Sequence, residues 1–287
     1  MRKNWKTKKE MKNTMGTIRK RKNRRKKRAS DLLLLAALAV TLFAAGKIIG
    51  IMSEYRAGEK EYDNFMQYVV QKDRKPDTTA TVSDPGALAA ETLPEAPISV
   101  DFSALQQVNE DIVGWIYAEA IPEISYPVVQ GEDNDYYLHH TAEKKKNFSA
   151  SIFLDSRNSA DFLDPVSVVY GHNMKNRSMF GRLKEYRKQE TYDKSPYIWI
   201  LTPNGDYRYE IFSVHTVRDD DAVYELAYTQ GEELKAYMDN MQAQSEVECS
   251  AAFTGNEPVL MLSTCTASDR IRCVVQIACA SGVISLI

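Results

Sequence analysis

Eight short apolar segments, rich in β-branched and aromatic residues, dominate the chain from residue 112 onward. They cover residues 112–117, 124–129, 151–154, 166–170, 197–201, 207–217, 258–264 and 271–278. In the sixth segment, tyrosine or isoleucine at 207, 209 and 211 alternates with charged residues, which is the period of a half-buried strand. Turn-forming sequences such as Pro-Asn-Gly at 203–205 separate the segments. The pattern predicts eight β-strands.

From residue 99 onward, helical periodicity is confined to residues 102–109, 179–188 and 231–244. Because most strands follow one another with no helix between them, a doubly wound βαβ sheet is disfavoured. We predict a mainly β fold, a closed eight-stranded β-barrel with short helices, preceded by an N-terminal transmembrane helix. The composition, 44% apolar and 26% charged, is typical of a globular protein and excludes collagen-like and fully disordered classes.

The transmembrane prediction rests on residues 32–52, an apolar run interrupted only by Lys47. About 20 such residues span a bilayer. Residues 1–30 carry fifteen Lys or Arg against one Glu, whereas residues 53–287 carry 21 basic and 37 acidic residues, so the net charge of −2 conceals a strong asymmetry. Because basic flanks stay in the cytoplasm, the tail should be inside and the rest outside, which is the topology of a single-pass type II cell-membrane protein.

Two other interpretations of the N-terminal region compete with an anchor. Small residues at 44–46 provide a cleavage site for a signal peptide, but the apolar run and the basic segment before it are longer than usual for one. The tail also resembles a nucleic-acid-binding arm in charge alone. Beside a membrane span, contact with anionic lipid is favoured, and we predict no nucleic-acid partner.

The region between the apolar run and the strands divides into two parts. Residues 53–75 have loosely helical spacing, and residues 76–98 have the Pro, Thr and Ala content of a linker. The predicted organisation is a basic cytoplasmic tail (1–30), a transmembrane anchor (31–52), a juxtamembrane helix with a linker (53–98) and one catalytic domain (99–287).

Reactive side chains end two of the predicted strands. One strand runs through Gly171 into His172, and another ends at Cys265. An imidazole and a thiol are the parts of an acid/base catalyst and a nucleophile. A strand-end cysteine is more often a small core residue, and a single histidine is more often structural. Arg272 favours a catalytic role for these two residues over a structural one, because burying a guanidinium on an apolar strand is costly unless it meets an anionic group.

Six motifs make this region resemble the class B sortases. Leu262-Ser263-Thr264-Cys265 is similar to the family's strand end Thr-Leu-x-Thr-Cys. The other motifs, in the family's order, are Tyr-Pro-Val-Val-Gln-Gly (126–131), Asn-Asp-Tyr-Tyr-Leu (134–138), Ser-Ile-Phe-Leu-Asp (151–155), Tyr-Gly-His-Asn-Met (170–174) and Ser-Met-Phe-Gly (178–181). The likeness covers about residues 100–280 and includes a helix before the cysteine strand. The chain departs from the family in its three further cysteines and its longer basic tail.

The resemblance implies a sortase-type barrel and a cysteine transpeptidase. Cys265 would form a thioester with the carbonyl of a Thr in a sorting signal, His172 would act as acid and then as base, and Arg272 would face the oxyanion. No metal or organic cofactor is implied. The partners would be surface proteins that carry a C-terminal sorting signal, together with an amine from a peptidoglycan precursor or a pilin lysine.

Four further residues are predicted to support the substrate groove: Ser263, Thr264, Asp155 and Asn173. Asp155 is equally a turn residue. The remaining histidines compete with His172 for the acid/base role. His139 and His140 lie in a charged loop and are expected to be solvated, and His215 has the parity of a half-buried structural residue on its strand.

The cysteines other than Cys265 have structural interpretations. All four lie in the last 39 residues, without the paired spacing of a zinc site. Cys273 and Cys279 share one strand face and are expected to pack as apolar groups. Cys249 lies in a loop, and the sequence does not decide whether it forms a disulfide. Pairing with Cys265 would make the enzyme inactive until the disulfide is reduced.

Two arginines, Arg270 and Arg272, follow the cysteine closely, and strand register chooses between them. If the last two strands form a hairpin that turns at 268–269, Cys265 faces Arg272 and Arg270 faces Ala267 at the turn. Directly opposed residues have Cβ atoms about 4.5 to 5.5 Å apart on one sheet face. We therefore predict that Arg272 is the catalytic arginine, and a bulge in the hairpin would shift this choice.

Two functions from other classes share some of these features. A membrane-anchored cysteine protease or amidase has the same thiol and imidazole but releases its acyl group to water. A noncatalytic peptide-binding barrel would carry Cys265 as a core residue. Thiol alkylation and a peptide-transfer assay distinguish these alternatives from a transpeptidase.

Overall fold

The computed structural model describes residues 3–72, 94–266, 268 and 270–284. Its contacts divide the chain into two compact units, Met1–Tyr55 and Arg56–Ile287. The first unit is part of one long helix, α1 (Lys3–Phe65). The stretch Leu32–Tyr68 is long and apolar enough to cross a membrane, with a mean hydropathy of 2.4 in its most apolar window and no buried residue in that window.

The second unit begins with the last turns of α1, which ends at Phe65 rather than continuing through residue 75 as the spacing predicts. A 3-10 turn follows, and then strand β1 (Val69–Gln71) pairs antiparallel with β2 (Ile98–Val100). Two adjacent valines favour an extended backbone here, and β2 supplies the hydrogen-bond partners. Most of the predicted linker, residues 73–93, lies outside the described residues.

Eight further strands form a closed barrel, as the alternation of apolar and polar residues predicts. They are β3 (Ile112–Ala118), β4 (Ser125–Val129), β5 (Ile152–Leu154), β6 (Val166–Tyr170), β7 (Tyr197–Thr202), β8 (Gly205–Arg218), β9 (Val259–Cys265) and β10 (Ile271–Ile284). Around the barrel the order is β10-β8-β7-β3-β4-β5-β6-β9. Pairing is antiparallel except between β4 and β5 and between β6 and β9.

Three of the helical segments between the strands correspond to the predicted helices. The first, α2 (Phe102–Val108), is capped by Asp101, whose carboxylate accepts from the Ala104 amide. The predicted helix at 179–188 is instead a 3-10 helix (Phe180–Arg187), followed by the single turn α3 (Gln189–Tyr192). The longest, α4 (Glu232–Ala243), agrees with the predicted segment 231–244 to within a residue at each end.

Helix α4 packs on the outer sides of four neighbouring strands, β6, β9, β10 and β8. Its apolar stripe recurs every three or four residues, at Leu234, Tyr237, Met238 and Met241. The side chains beneath the stripe share one sheet face and include Val166, Val168, Met261, Val274 and Phe212. Cys265 and Arg272 have the same strand parity as this face, so the helix and the site lie on one side of the barrel.

Candidate active site

The parallel pairing of β6 with β9 brings His172 and Cys265 to one edge of the sheet. Tyr170 is paired with Ser263, and the Gly171 amide donates to the Ser263 carbonyl at 3.1 Å. His172 and Cys265 each lie two residues beyond this pair. Because parallel strands run in the same direction, the two reactive side chains emerge together although 93 residues separate them in the sequence.

Gly171 allows the side chains of Ile152 and Phe180 to pack closely against the end of β6. A Cβ at this position would lie 2.4 Å from Ile152 Cδ1 and 2.6 Å from Phe180 Cδ2, closer than carbon atoms approach. The Phe180 amide donates to the His172 carbonyl at 3.0 Å, which fixes the backbone of the histidine. A side chain larger than hydrogen would therefore displace the residues that hold His172.

The His172 ring has a defined orientation. Its Nε2 lies 3.0 Å from the Leu138 carbonyl oxygen. A carbonyl only accepts, so Nε2 carries the hydrogen in this bond, and Nδ1 is the ring nitrogen available for proton exchange. Next in sequence, Asn173 forms an isolated antiparallel bridge with Met179, so its backbone closes the loop after the histidine.

The predicted register of the last hairpin is confirmed, because Cys265 is directly paired with Arg272. Arg272 Nη2 lies 4.0 Å from Asp219 Oδ2, and the side chain is 23% exposed. Arg270 is 67% exposed and lies 3.8 Å from Asp220, as expected for a solvated turn residue. Ala267 and Asp269, the other residues of the predicted turn, lie outside the described residues.

A tyrosine that the sequence did not predict completes this face. The Tyr224 hydroxyl lies 2.8 Å from Ser263 Oγ, and its ring stacks with Tyr170 at a centroid distance of 6.5 Å. Burial raises the pKa of Tyr224, opposed by the Ser263 hydroxyl and the positive charge of Arg272. The tyrosine belongs to a 3-10 turn after β8, so long-range packing rather than a local motif brings it to the site.

Asp155 makes a local turn contact and also bonds to a residue of the neighbouring strand. It accepts from the Arg157 amide, as in a turn, and from the Arg157 guanidinium at 2.9 and 2.8 Å. It also accepts from the Tyr170 hydroxyl at 3.0 Å. Burial alone would raise its pKa, but the hydrogen bonds and charge of Arg157 outweigh burial and lower the pKa to about 2. The carboxylate therefore supports the face that holds Tyr170 and Tyr224.

Thr264, predicted for the groove, is placed elsewhere. Successive side chains of a strand point to opposite faces, so Thr264 points away from the face of Cys265 and Ser263. It is paired with Cys273 and buried, and its hydroxyl has no hydrogen-bond partner among the described groups. Its side chain packs on the sheet face opposite to that of Cys265.

The other histidines lie on segments other than the ends of β6 and β9. His139 is exposed and lies 3.7 Å from Asp135, and the His140 ring stacks on Tyr136. His215 is fully buried rather than half-buried, with Nδ1 2.9 Å from Ser213 Oγ. Burial lowers its pKa, so His215 stays neutral at physiological pH.

Cys249, Cys265 and Cys273, all within the described residues, are free thiols. Cys273 is buried, and burial raises its pKa to about 12. Cys249 Sγ lies 3.7 Å from Ser245 Oγ, and burial raises the pKa of this thiol also. Within the described residues, no group of three His, Cys, Asp or Glu side chains could hold a metal ion.

Comparison with known proteins finds matches along most of the chain. The family model of the sortase domain matches residues 116–278. Sortase B of Listeria monocytogenes is 32% identical over 233 residues, which are 81% of this chain and 88% of that protein. The crystal structure of Clostridium perfringens sortase B superposes with a TM-score of 0.58 at 32% identity, covering 64% of this chain and all of that one. The structure of a Staphylococcus aureus sortase B–substrate complex superposes with a TM-score of 0.57 at 30% identity, covering 63% of this chain and 85% of that one.

Proposed function

The chain belongs to the class B sortases, a family of cysteine transpeptidases that act on sorting signals, and from this we propose that it is anchored in the membrane, cleaves its sorting signal after a Thr and transfers the acyl group to an amine. The observation that carries the proposal is the register of three strands. The parallel pairing of β6 with β9 aligns His172 with Cys265, and the antiparallel pairing of β9 with β10 aligns Cys265 with Arg272.

The first step forms the acyl-enzyme. The Cys265 thiolate attacks the carbonyl carbon of the Thr, and a tetrahedral oxyanion forms. Arg272, on the same sheet face, stabilises the oxyanion through its fixed positive charge. The carbon–nitrogen bond then breaks, and His172 Nδ1–H protonates the departing amine. The products are a Cys265 thioester and the free C-terminal part of the sorting signal.

The second step transfers the acyl group. An incoming amine attacks the thioester carbonyl, neutral His172 Nδ1 takes a proton from its nitrogen, and the carbon–sulfur bond breaks to return the thiolate. The carbonyl of Leu138 keeps Nε2 as the donor through both steps. The hydroxyls of Tyr224 and Ser263 lie beside the nucleophile and are suited to hold the Thr of the substrate.

The proposed topology places residues 1–30 in the cytoplasm, 31–52 in the membrane and the domain 99–287 outside, joined by residues 53–98. The basic tail supports this orientation and would contact anionic lipid. The protein partners would be surface proteins with a C-terminal sorting signal, and the amine would come from a peptidoglycan precursor or a pilin lysine. Protease added to intact, wall-stripped cells should remove the domain and spare an N-terminal epitope; loss of that epitope would reverse the orientation.

A peptide assay tests the reaction itself. The full chain in detergent is mixed with a panel of sorting-signal peptides that carry Thr before the scissile bond, with and without an amine, and products are identified by mass spectrometry. We expect a thioester on Cys265 and an amide product when the amine is present. Cys265→Ala should abolish both, and Cys249→Ala should leave them unchanged. Products of hydrolysis alone would favour a protease, and an active Cys265→Ala protein would exclude the thiol mechanism.

A further inference from the structure

The last turns of α1, residues 56–65, pack into the catalytic unit, and we name them the docking segment. Tyr62 and Phe65 are buried, and the Tyr62 hydroxyl donates to the Ala150 carbonyl at 2.6 Å. Glu61 is also buried, and its carboxylate accepts from the Glu143 amide at 3.0 Å. A surface helix that served only as a spacer would not bury a tyrosine, a phenylalanine and a carboxylate together.

Two contacts join the docking segment to the loop that follows His172, residues 173–179. Asn176 Nδ2 donates to Glu59 Oε1 at 2.7 Å. The Met179 amide donates to the Tyr126 hydroxyl at 3.0 Å, and the Tyr126 ring meets the edge of Tyr62 at a centroid distance of 5.5 Å. The helix therefore holds this loop both directly and through one intervening ring.

The loop needs such support because its backbone is unfavourable in isolation. Arg177 and Met179 have φ of 70° and 54°, in the left-handed region that disfavours residues with a side chain. Such conformations persist where surrounding contacts hold them. Asn173 bridges Met179, and the Phe180 amide bonds to His172. Release of the loop would therefore loosen the backbone of the histidine.

The docking segment also contacts the loop that follows Leu138, the residue that orients the His172 ring. The ring is oriented by the Leu138 carbonyl. The loop that follows, residues 139–150, donates to Glu61 through the Glu143 amide and accepts from Tyr62 at the Ala150 carbonyl. The Ser151 amide, just past this loop, donates to the Tyr137 carbonyl beside Leu138. Both the backbone and the Nε2 partner of His172 thus depend on segments that this helix contacts.

We propose that the docking segment is a positioning element for His172, with Glu59 and Tyr62 as the positioning residues; this inference rests on the proposed function. The helix does not touch the substrate. Its contribution is to keep Nδ1 in place for proton transfer, and a misplacement of about 1 Å can lower a rate by about a hundredfold. Undocking should therefore slow acylation while leaving peptide affinity nearly unchanged.

The Glu59–Asn176 contact provides the sharpest test, because both side chains are exposed and neither change should unfold the domain. Glu59→Ala and Asn176→Ala are made singly and together in the full chain in detergent. Glu59→Gln keeps an acceptor oxygen, and Lys60→Ala changes an exposed neighbour on the same helix. Single-turnover thioester formation gives the maximal acylation rate and the half-saturating peptide concentration. Hydrogen–deuterium exchange reports the loop 173–179 without requiring activity.

We expect each alanine variant to have a maximal acylation rate about tenfold lower than that of the wild type. The half-saturating peptide concentration should stay within about twofold, because the change affects the position of His172 and not peptide binding. The double variant should be no slower than Asn176→Ala alone, which also removes the bonds that Asn176 accepts from Ser178. Exchange in 173–179 should rise, and Glu59→Gln and Lys60→Ala should match the wild type. Unchanged exchange or an unchanged acylation rate would overturn the inference. If the wild type forms no thioester while exchange still responds, the proposed function fails and the docking contact stands.

Discussion

Replacement of Asp155 by Asn should remove a dependence of barrel stability on pH that this one carboxylate causes. The side chain is completely buried and accepts hydrogen bonds from Arg157 and Tyr170. Asn keeps the size but removes the charge and one acceptor oxygen. The variant therefore leaves the Arg157 guanidinium without its ionic partner and the Tyr170 hydroxyl with a weaker one.

The size of the effect follows from the pKa of Asp155, which the folded protein lowers from 3.8 to about 2. One pKa unit corresponds to about 1.4 kcal/mol, so the folded state gains about 2.5 kcal/mol from the ionised carboxylate. Because the folded pKa is the lower one, this stability is present above pH 3.8 and is lost as the pH falls to about 2. The variant should thus be about 2.5 kcal/mol less stable at pH 7 and nearly equal to the wild type at pH 2.

Urea unfolding of the full chain, followed by tryptophan fluorescence from pH 7 to pH 2, measures this difference. Other carboxylates with a lowered pKa, such as Glu257, titrate in both proteins and cancel. Glu132→Gln, an exposed change, should show no difference at any pH. A penalty for Asp155→Asn that is the same at pH 7 and pH 2 would show that lost packing, rather than the ion pair, accounts for it.

Three further changes test the site and its supports. Arg272→Lys keeps the charge but loses the planar guanidinium, so peptide transfer should fall about a hundredfold, while Arg270→Lys stays within twofold; the opposite ranking would refute the register argument. Tyr224→Phe removes the hydrogen bond to Ser263 and should lower kcat/KM about tenfold in the same assay, with an unchanged value counting against a role for the hydroxyl. Gly171→Ala places a Cβ 2.4 Å from a side-chain carbon, and calorimetry should show a loss of about 1 to 3 kcal/mol.

Local patterns were sufficient to predict the strands and the Cys265–Arg272 pairing. The alternation of apolar and polar residues determines which face of a strand is buried, and a short hairpin fixes register within a few residues of its turn. The same reasoning misses the end of α1, because β1 forms only by pairing with β2 across more than twenty residues of chain. Propensity alone does not decide such a segment.

Tyr224 and Asp155 show what sequence reasoning cannot supply at the site. Tyr224 reaches Ser263 because the segment between β8 and α4 folds back over the sheet, and no spacing in the sequence encodes that distance. From the sequence, Asp155 can be interpreted as a turn residue because its hydrogen bond to the Arg157 amide is local. Its hydrogen bond to Tyr170 depends on the neighbouring strand. His172 and Cys265 were identifiable because each lies at or just beyond the end of an apolar strand.

The parallel seam between β6 and β9 also governs when the catalytic site can form during folding. A long stretch of chain joins these strands. The conformational entropy of that stretch is therefore lost before the contacts between β6 and β9 are gained. β10, which pairs with both β9 and β8, completes the closed ring. The nucleophile and Arg272 thus enter the structure with its last two strands, and a chain that lacks them has no preformed reactive centre. We therefore expect catalytic competence to appear only when the barrel closes.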